Sequence, residues 1–342
     1  MEEYLTLPRL EEILNAARGL RVGVIGDFTL DGYWTADMTR SALSRETPRY
    51  PRPVTAERYS CGGAANAAWN LAALGLAEVR AFTVLGADWR GALLRRTMQD
   101  VGIDARDALE DPNWSTPFFG KVLLTSGETQ QEDSRLDFIN TTPLSPESER
   151  ELIQRLEASL PDLDAIIVAD YQPVGVITQR LIARLNDLAE RGDAPLFTVD
   201  SRERVGQFYN MVRKPNELEA ARWLFPERGA GLVGVEAFAE ALLHPQIDCG
   251  CPQFVTLGPQ GCLVIATGES HLVPAVPVPP PVDPVGAGDT FLAALTAALA
   301  AGANPVEAAR LGHFAAAVTV KKMGITGAAT PEEILRLAEQ MA

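Results

Sequence analysis

The chain is poor in cysteine and poorer still in histidine. Its four cysteines (Cys61, Cys249, Cys251 and Cys262) include no C-x-x-C pair, and His244, His271 and His313 are scattered. Neither a zinc site nor a disulfide framework is written in that pattern, and reduced structural thiols are expected. No stretch approaches the roughly 18 uninterrupted apolar residues of a membrane-spanning helix. Met1-Glu2-Glu3-Tyr4 is acidic and lacks an apolar run, so no signal peptide is expected. Basic charge is also in deficit: 30 Lys and Arg against 45 Asp and Glu leave a net charge of −15. That balance argues against a nucleic-acid or anionic-membrane surface. A cytoplasmic protein with neither nucleic acid nor membrane as partner is the expectation. The first apolar strand runs into Gly23-Val24-Ile25-Gly26-Asp27 without a G-x-G-x-x-G fingerprint, which sets aside a dinucleotide-dependent oxidoreductase. Walker A and protein-kinase H-R-D patterns are likewise missing.

What is present describes an ordinary globular chain, 46% hydrophobic and 22% charged over 342 residues. Leu10, Ile13, Leu14 and Ala17 have helical spacing over 8–19, and Arg21–Gly26 reads as a buried parallel strand. Helices are expected over 62–75, 88–101, 175–191, 288–301, 304–322 and 331–341. Strands are expected over 79–85, 164–169, 195–199, 210–214 and 253–258. Such alternation predicts an α/β fold with a mainly parallel sheet covered on both faces, in which ligands bind at the carboxyl ends of strands. Asp27 and Asp31 fall at such an end. Residues 28–60 and 114–139 break the rhythm with Pro48, Pro51, Pro53, Tyr33, Trp34, Trp114, Phe118 and Phe119, and read as insertions of small antiparallel strands. The whole of 1–342 is expected to be one domain.

The most informative stretch is Asp283-Pro284-Val285-Gly286-Ala287-Gly288-Asp289-Thr290-Phe291, a glycine-rich turn opening an alanine-rich helix. The free N–H groups of Gly286, Ala287, Gly288 and Asp289, with the positive end of the helix dipole, form an anion site. A carboxylate inside an anion site repels a phosphate. It has a purpose there if Asp289 takes a proton from a hydroxyl while the amides hold the phosphoryl group under attack. Ionised Asp27 and Asp31 accept strongly from sugar hydroxyls, Gly62 and Gly63 permit close backbone approach, and Asn66 supplies a donor and an acceptor. Asn216 and Glu219, three apart, share one face of a helical turn.

The chain resembles the ribokinase/PfkB family of carbohydrate kinases. The resemblance rests on D-P-V-G-A-G-D-T-F (283–291), Gly26-Asp27 with Asp31, Cys61-Gly62-Gly63-Ala64-Ala65-Asn66, Asn216 to Glu219 as N-x-x-E, and Thr256-Leu257-Gly258-Pro259-Gln260-Gly261 as T-x-G-x-x-G. These come in the family's order over about 20–325. It implies a ribokinase-like three-layer sandwich, ATP and Mg²⁺ as co-substrates, and a β lid (28–60 and 114–139) that often pairs with the lid of a second subunit in a homodimer. It further implies Asp289 as general base beside the Gly286, Ala287 and Gly288 amides. Sugar contacts fall to Asp27, Asp31, Gly62, Gly63 and Asn66. Thr256, Gly258 and Gly261 take the nucleotide, and Asn216 and Glu219 the Mg²⁺–phosphate–water network. Asp283, with backbone near Val285, Thr319 and Gly324, matches the monovalent-cation (K⁺) site of parts of the family.

Within it, Gly26-Asp27-Phe28-Thr29-Leu30-Asp31-Gly32-Tyr33-Trp34, Ser44–Pro48, Arg135-Leu136-Asp137 and Ala169-Asp170-Tyr171 resemble the heptose-phosphate kinases. That places Arg135 and Asp170 among the substrate contacts. The branch has lysine where this chain has Pro173, and D-P-K where it has Asp200-Ser201-Arg202. Arg is no geometric equal of Lys, so the substrate's own phosphate is left open at this point. Ribose, a ketohexose phosphate, a 2-keto-3-deoxy sugar acid or a nucleoside remain alternative acceptors. A catalytically idle binding or regulatory module is a further alternative, and the intact Gly286–Asp289 turn argues against it. No nucleotidyltransferase-like domain is expected to follow the kinase core.

Overall fold

The computed structural model describes residues 4–127, 129–228, 233–245, 247, 250–324 and 326–341; Cys249 lies outside them. In chain order the elements are α1 (Leu7–Ala17), β1 (Arg21–Gly26), β2 (Phe28–Asp37), β3 (Val54–Gly63), α2 (Ala64–Ala73), β4 (Glu78–Phe82), β5 (Val84–Gly86), α3 (Trp89–Asp100) and β6 (Leu109–Asp111). There follow β7 (Phe118–Ser126), β8 (Thr129–Phe138), α4 (Pro146–Ser159), β9 (Ala165–Asp170), α5 (Gln179–Ala189), β10 (Leu196–Ser201), β11 (Val212–Arg213), α6 (Glu217–Leu224) and α7 (Val235–Leu242). The chain closes with β12 (Gln253–Thr256), β13 (Cys262–Ala266), β14 (Glu269–Val273), α8 (Ala287–Ala300), α9 (Pro305–Thr319) and α10 (Pro331–Met341).

An eight-stranded sheet has the order β14-β13-β12-β11-β10-β9-β1-β4. The strands from β12 to β4 are parallel, and at one edge the β12–β13 and β13–β14 pairings are antiparallel, so β13 alone is reversed. β9 is buried along its whole length, as a strand covered on both faces must be. On one face, α1, α2, α8, α9 and α10 share a core with β1 and β4; on the other, α4 and α5 pack with Ile166, Val168 and Val199. Helix α8 is buried nearly all round from Thr290 to Ala298. Its alanines let α2 and α9 approach closely, and Thr296 Oγ1 hydrogen-bonds Thr198 Oγ1 of β10 at 2.8 Å. Burying each large apolar side chain contributes about 1.5–3 kcal/mol, so this layer fixes where the helix begins.

The expected parallel sheet and its order of elements hold. Residues 28–60 and 114–139 do form a second sheet, in the order β3-β2-β7-β8. Its central pair, β2 and β7, is parallel rather than antiparallel. The two insertions leave the core separately and meet side by side, so no hairpin dictates their sense. The helix expected from residue 62 begins at Ala64, because β3 continues to Gly63. The strand expected over 79–85 breaks at Thr83 into β4 and β5. Elements additional to those expected are β6, α4, α7 and the β13–β14 hairpin, and the helical turn expected at Asn216–Glu219 extends into α6.

At the end of β1, Gly26 has φ 152°, and a Cβ there would sit 2.0 Å from the Ala169 carbonyl oxygen of β9. This turn carries the chain from the large sheet into the lid. Gly26→Ala is expected to lower stability by about 2 kcal/mol or more, checked by denaturant and thermal unfolding.

Candidate active site

A cavity of about 350 Å³ opens where the parallel strands end beneath the β2–β7 lid. The strand ends deliver its chemistry: Asp200 in β10, Lys214 just past β11 and Thr256 ending β12 all line it. From the lid come Thr29, Asp31, Phe119, Lys121 and Arg135; from the turn before α8 come Val285 and Gly286, and from its first turn Gly288 and Asp289.

Gly286 adopts φ 81° and caps α8 without a side chain. That left-handed turn presents Asp289, in the first helical turn, to the cavity. Asn66 Nδ2 donates to Asp289 Oδ2 at 2.8 Å, and the Tyr171 hydroxyl donates to Oδ1 at 2.9 Å. Burial raises the Asp289 pKa; Asn66 opposes this, the Asp200 charge adds to it, and Tyr171 and Lys214 oppose it in turn. A base-like carboxylate with both oxygens oriented is the result.

Lys214, 2% exposed, holds Asp200 Oδ2 at 3.0 Å. Burial works against its charge, but Asp200 and Glu219 more than offset that and raise its pKa. Glu219 is raised by burial and by Asp200, against Lys214. It also closes a capping box with Asn216: Asn216 N donates to Glu219 Oε2 at 2.8 Å, and Glu219 N to Asn216 Oδ1 at 2.9 Å. Across the cavity, Asp31 Oδ1 and Thr29 Oγ1 are buried without a partner of good hydrogen-bond geometry. Burial, then the Asp289 charge, pushes the Asp31 carboxyl up to about 7 against Lys121 and Arg135. Paired demands of this kind mark a place prepared for a polar ligand.

Several expected site residues lie elsewhere. Asp27 is 2% exposed and accepts from the amides of Tyr171, Gln172 and Val176 at 2.9, 2.8 and 2.7 Å. It holds the loop after β9 from beneath the cavity, and burial, against those amides, pushes its pKa up to about 6. Asn66 is fully buried and meets Asp289 rather than the cavity. Gly62 makes room for a carboxylate: a Cβ there would lie 2.1 Å from Asp31 Oδ1. Gly63 does line the cavity. Asp170 is engaged by Arg204 and by Ser201 Oγ at 2.5 Å, and faces a neighbouring space of about 120 Å³. Arg135 lines the main cavity, over the Phe119 ring at 4.6 Å. Gly258 and Gly261 shape the turn after β12 without lining the cavity. Asp283 accepts from Val285 N at 3.1 Å and Gly324 N at 2.9 Å. Those two amides make Asp283 a clasp between two turns, and each of its oxygens keeps a further lone pair beyond the one amide it accepts. Lys121 and Lys214 join the site without having been singled out for it, whereas Tyr171, Asp200 and Arg202 come from the segments 169–171 and 200–202 already compared with the heptose-phosphate kinases; the polar residue ending the apolar run at Lys214 was the available signal.

A family model described as pfkB family carbohydrate kinase matches residues 32–332. The chain belongs to this family. Among curated relatives of this pfkB-family chain, it is 32% identical over 335 residues to the Bifunctional protein HldE of Trichlorobacter lovleyi, covering 95% of this chain and 64% of that protein. It is 28% identical over 319 residues to the Bifunctional protein HldE of Helicobacter hepaticus, covering 92% and 63%. The chain thus spans about two thirds or slightly less of those relatives. Among solved structures, Escherichia coli phosphofructokinase-2 in complex with substrates and products aligns with a TM-score of 0.72 at 20% identity, over 94% of this chain and 99% of that one. Arabidopsis thaliana ribokinase complexed with ribose and ATP gives 0.67 at 18%, over 94% and 99%. The fold is therefore the ribokinase-like α/β fold expected from the motifs.

The raised Asp31 carboxyl yields a stability test. Its folded pKa of about 7 lies above the ordinary aspartate value of about 3.9, so ionising it costs stability as pH rises through that window. Asp31→Asn is expected to raise Tm at about pH 8 relative to the parent, and the gain should vanish below about pH 4, as read by thermal melts across pH.

Proposed function

We propose that this protein transfers the γ-phosphoryl group of ATP to a hydroxyl of a sugar that already carries a phosphate, with a heptose 7-phosphate as the favoured acceptor. The observation that carries the chemistry is Asp289 at the N-terminus of α8, its two oxygens fixed by Asn66 and Tyr171, facing the unsatisfied Asp31 and Thr29. The sugar would lie against Asp31, Thr29 and Gly63. The nucleotide phosphates would meet the Gly286–Gly288 turn, Asn216 and Glu219. Asp289 removes the acceptor proton as the phosphoryl group transfers in line.

Asp200, Glu219 and Asp289 surround Lys214 and Asp31 lies across the cavity, so the cavity has a surplus of hard oxygen donors. Among the described residues no group of three or more His, Cys, Asp or Glu forms a metal cage. That set suits Mg²⁺ held through water and nucleotide phosphate. When bound, the ion would neutralise charge on the phosphates. The lid built on β2 and β7 would exclude water and so limit ATP hydrolysis.

Support for a phosphorylated acceptor comes from three cations lining the cavity: Lys121, Arg135 and Arg202. Arg202 makes no ion pair among the described residues and lies over the Tyr171 ring at 5.4 Å, where the heptose-phosphate branch has its lysine. The HldE relatives agree with that branch. A nucleoside acceptor would want aromatic stacking from Tyr33, Trp34, Trp114 or Phe119, and it is less favoured because these rings are committed: Trp34 packs on Phe118 at 5.4 Å. Trp114 is 5% exposed, Tyr33 carries Arg58 at 4.6 Å, and Phe119 carries Arg135. Leu136, Phe138 and Ile139, each about half exposed along or just past β8, support a homodimer formed through the lid. ATP as co-substrate fits a cytoplasmic setting.

The test is ADP release from ATP–Mg²⁺ across free sugars, sugar phosphates including heptose 7-phosphate, and nucleosides. Turnover is expected with a sugar phosphate and should fall about 10²–10⁴-fold in Asp289→Asn, with the fold intact by circular dichroism. Near-full activity of that variant would remove the general-base assignment. Arg202→Ala is expected to raise KM for the phosphorylated acceptor about tenfold or more while leaving KM for ATP unchanged.

A further inference from the structure

The hydroxyl of Tyr171 stands between two carboxylates, 2.9 Å from Asp289 Oδ1 and 3.3 Å from Asp200 Oδ2. A phenol has one proton to give. The ring is 7% exposed and held on both sides of its chain position. Its backbone N–H donates to Asp27, and the Arg202 guanidinium covers its face. The two carboxylates are not equally supplied. Asp200 Oδ2 already has the Lys214 ammonium at 3.0 Å, whereas Asp289 has only Asn66 besides the helix terminus.

We propose that Tyr171 is a positioning residue for Asp289, and that its single O–H turns from Asp289 to Asp200 when Asp289 takes up the acceptor's proton. This rests on the reading of Asp289 as general base. While Asp289 is ionised, the shorter contact holds the proton and fixes Oδ1, leaving the remaining lone pairs toward the acceptor. During transfer the acceptor's O–H bond breaks and its proton goes to the Asp289 carboxylate. The freed electron pair forms the new P–O bond as the bond to the ADP oxygen breaks. A protonated carboxyl is the poorer acceptor, so the Tyr171 O–H then finds Asp200, still ionised beside Lys214. Tyr171 keeps its own proton throughout: burial, then Asp200 and Asp289, hold its phenol well above the ordinary tyrosine range. Both protonation states of the base are thereby hydrogen-bonded without movement of the backbone. The charged groups facing Asp289 are Asp31 from β2, Asp200 from β10 and Lys214 beyond β11, with Glu219 of α6 behind them.

The experiment is steady-state kinetics of Tyr171→Phe, in the parent and in Asp289→Asn, with ATP–Mg²⁺ and the best acceptor of the panel above, from about pH 5 to 9. In the parent background kcat should fall roughly tenfold or more with both KM values within about twofold. Losing a donor to the ionised form raises the pKa of the base, so the acid limb should move to higher pH. In Asp289→Asn the same substitution should cost less than about twofold, because the group it positions is gone. Replacing Tyr171 by 3-fluorotyrosine keeps the shape, strengthens the donor and should move the acid limb to lower pH. Equal losses in both backgrounds, or an unmoved acid limb, overturn the proposal while leaving the kinase reading intact. A parent protein without turnover on any acceptor overturns both.

Discussion

A half-buried carboxylate at a helix N-terminus is the constraint around which this molecule is arranged. Asp289 sits where the free amides and dipole of α8 favour negative charge, yet burial and the neighbouring Asp200 and Asp31 oppose its ionisation. The conflict is held in balance by two oriented donors, Asn66 from α2 and Tyr171 from the loop after β9. Each donor is in turn fixed from behind: Asn70 donates to the Asn66 carbonyl at 2.9 Å, and Asp27 gathers the amides around Tyr171. Of the residues that resemble sugar contacts in sequence, Asn66 therefore holds Asp289 directly and Asp27 at one remove.

The sheet provides the registration that this balance needs. Five parallel pairings bring Asp27, Asp170, Asp200, Lys214 and Thr256 to one edge of the molecule, in a layer about one strand-end deep. Acidic strand ends in such proximity would repel one another, and two cations interrupt them. Lys214 divides Asp200 from Glu219 and Asp289, while Arg204 neutralises Asp170 on the outer side. The lid brings Lys121 and Arg135 to the cavity beside Asp31, and each is also paired within the lid, with Glu132 at 3.8 Å and Asp137 at 2.7 Å.

The order of helices and strands was legible because each buried parallel strand is an uninterrupted apolar run ending in a polar residue, and each helix carries a 3.6-residue stripe. The Gly286–Asp289 turn was legible because only glycine accepts the left-handed conformation at 286, φ 81°. The α4 helix has its own cap, Ser145, and buries Leu152, Ile153 and Leu156, so its absence from the expected elements reflects an unread pattern rather than a hidden one. The parallel sense of β2 and β7 was not legible at all: their Cα partners are about 88 residues apart in sequence, as for Leu30 and Phe118, and no local turn records the pairing.

The sequence alone determined the fold class, the family and the place of Asp289 at a helix N-terminus, because these depend on local backbone chemistry: glycines that turn, a helix that starts, a carboxylate among free amides. Tertiary structure alone decided which carboxylates face the ligand and which hold the frame. Asp27 and Asp31 are four residues apart and chemically identical, yet one has its oxygens filled by three amides and the other has an oxygen with none. That difference is set by which strand ends converge in space, a long-range fact that no short stretch of sequence contains.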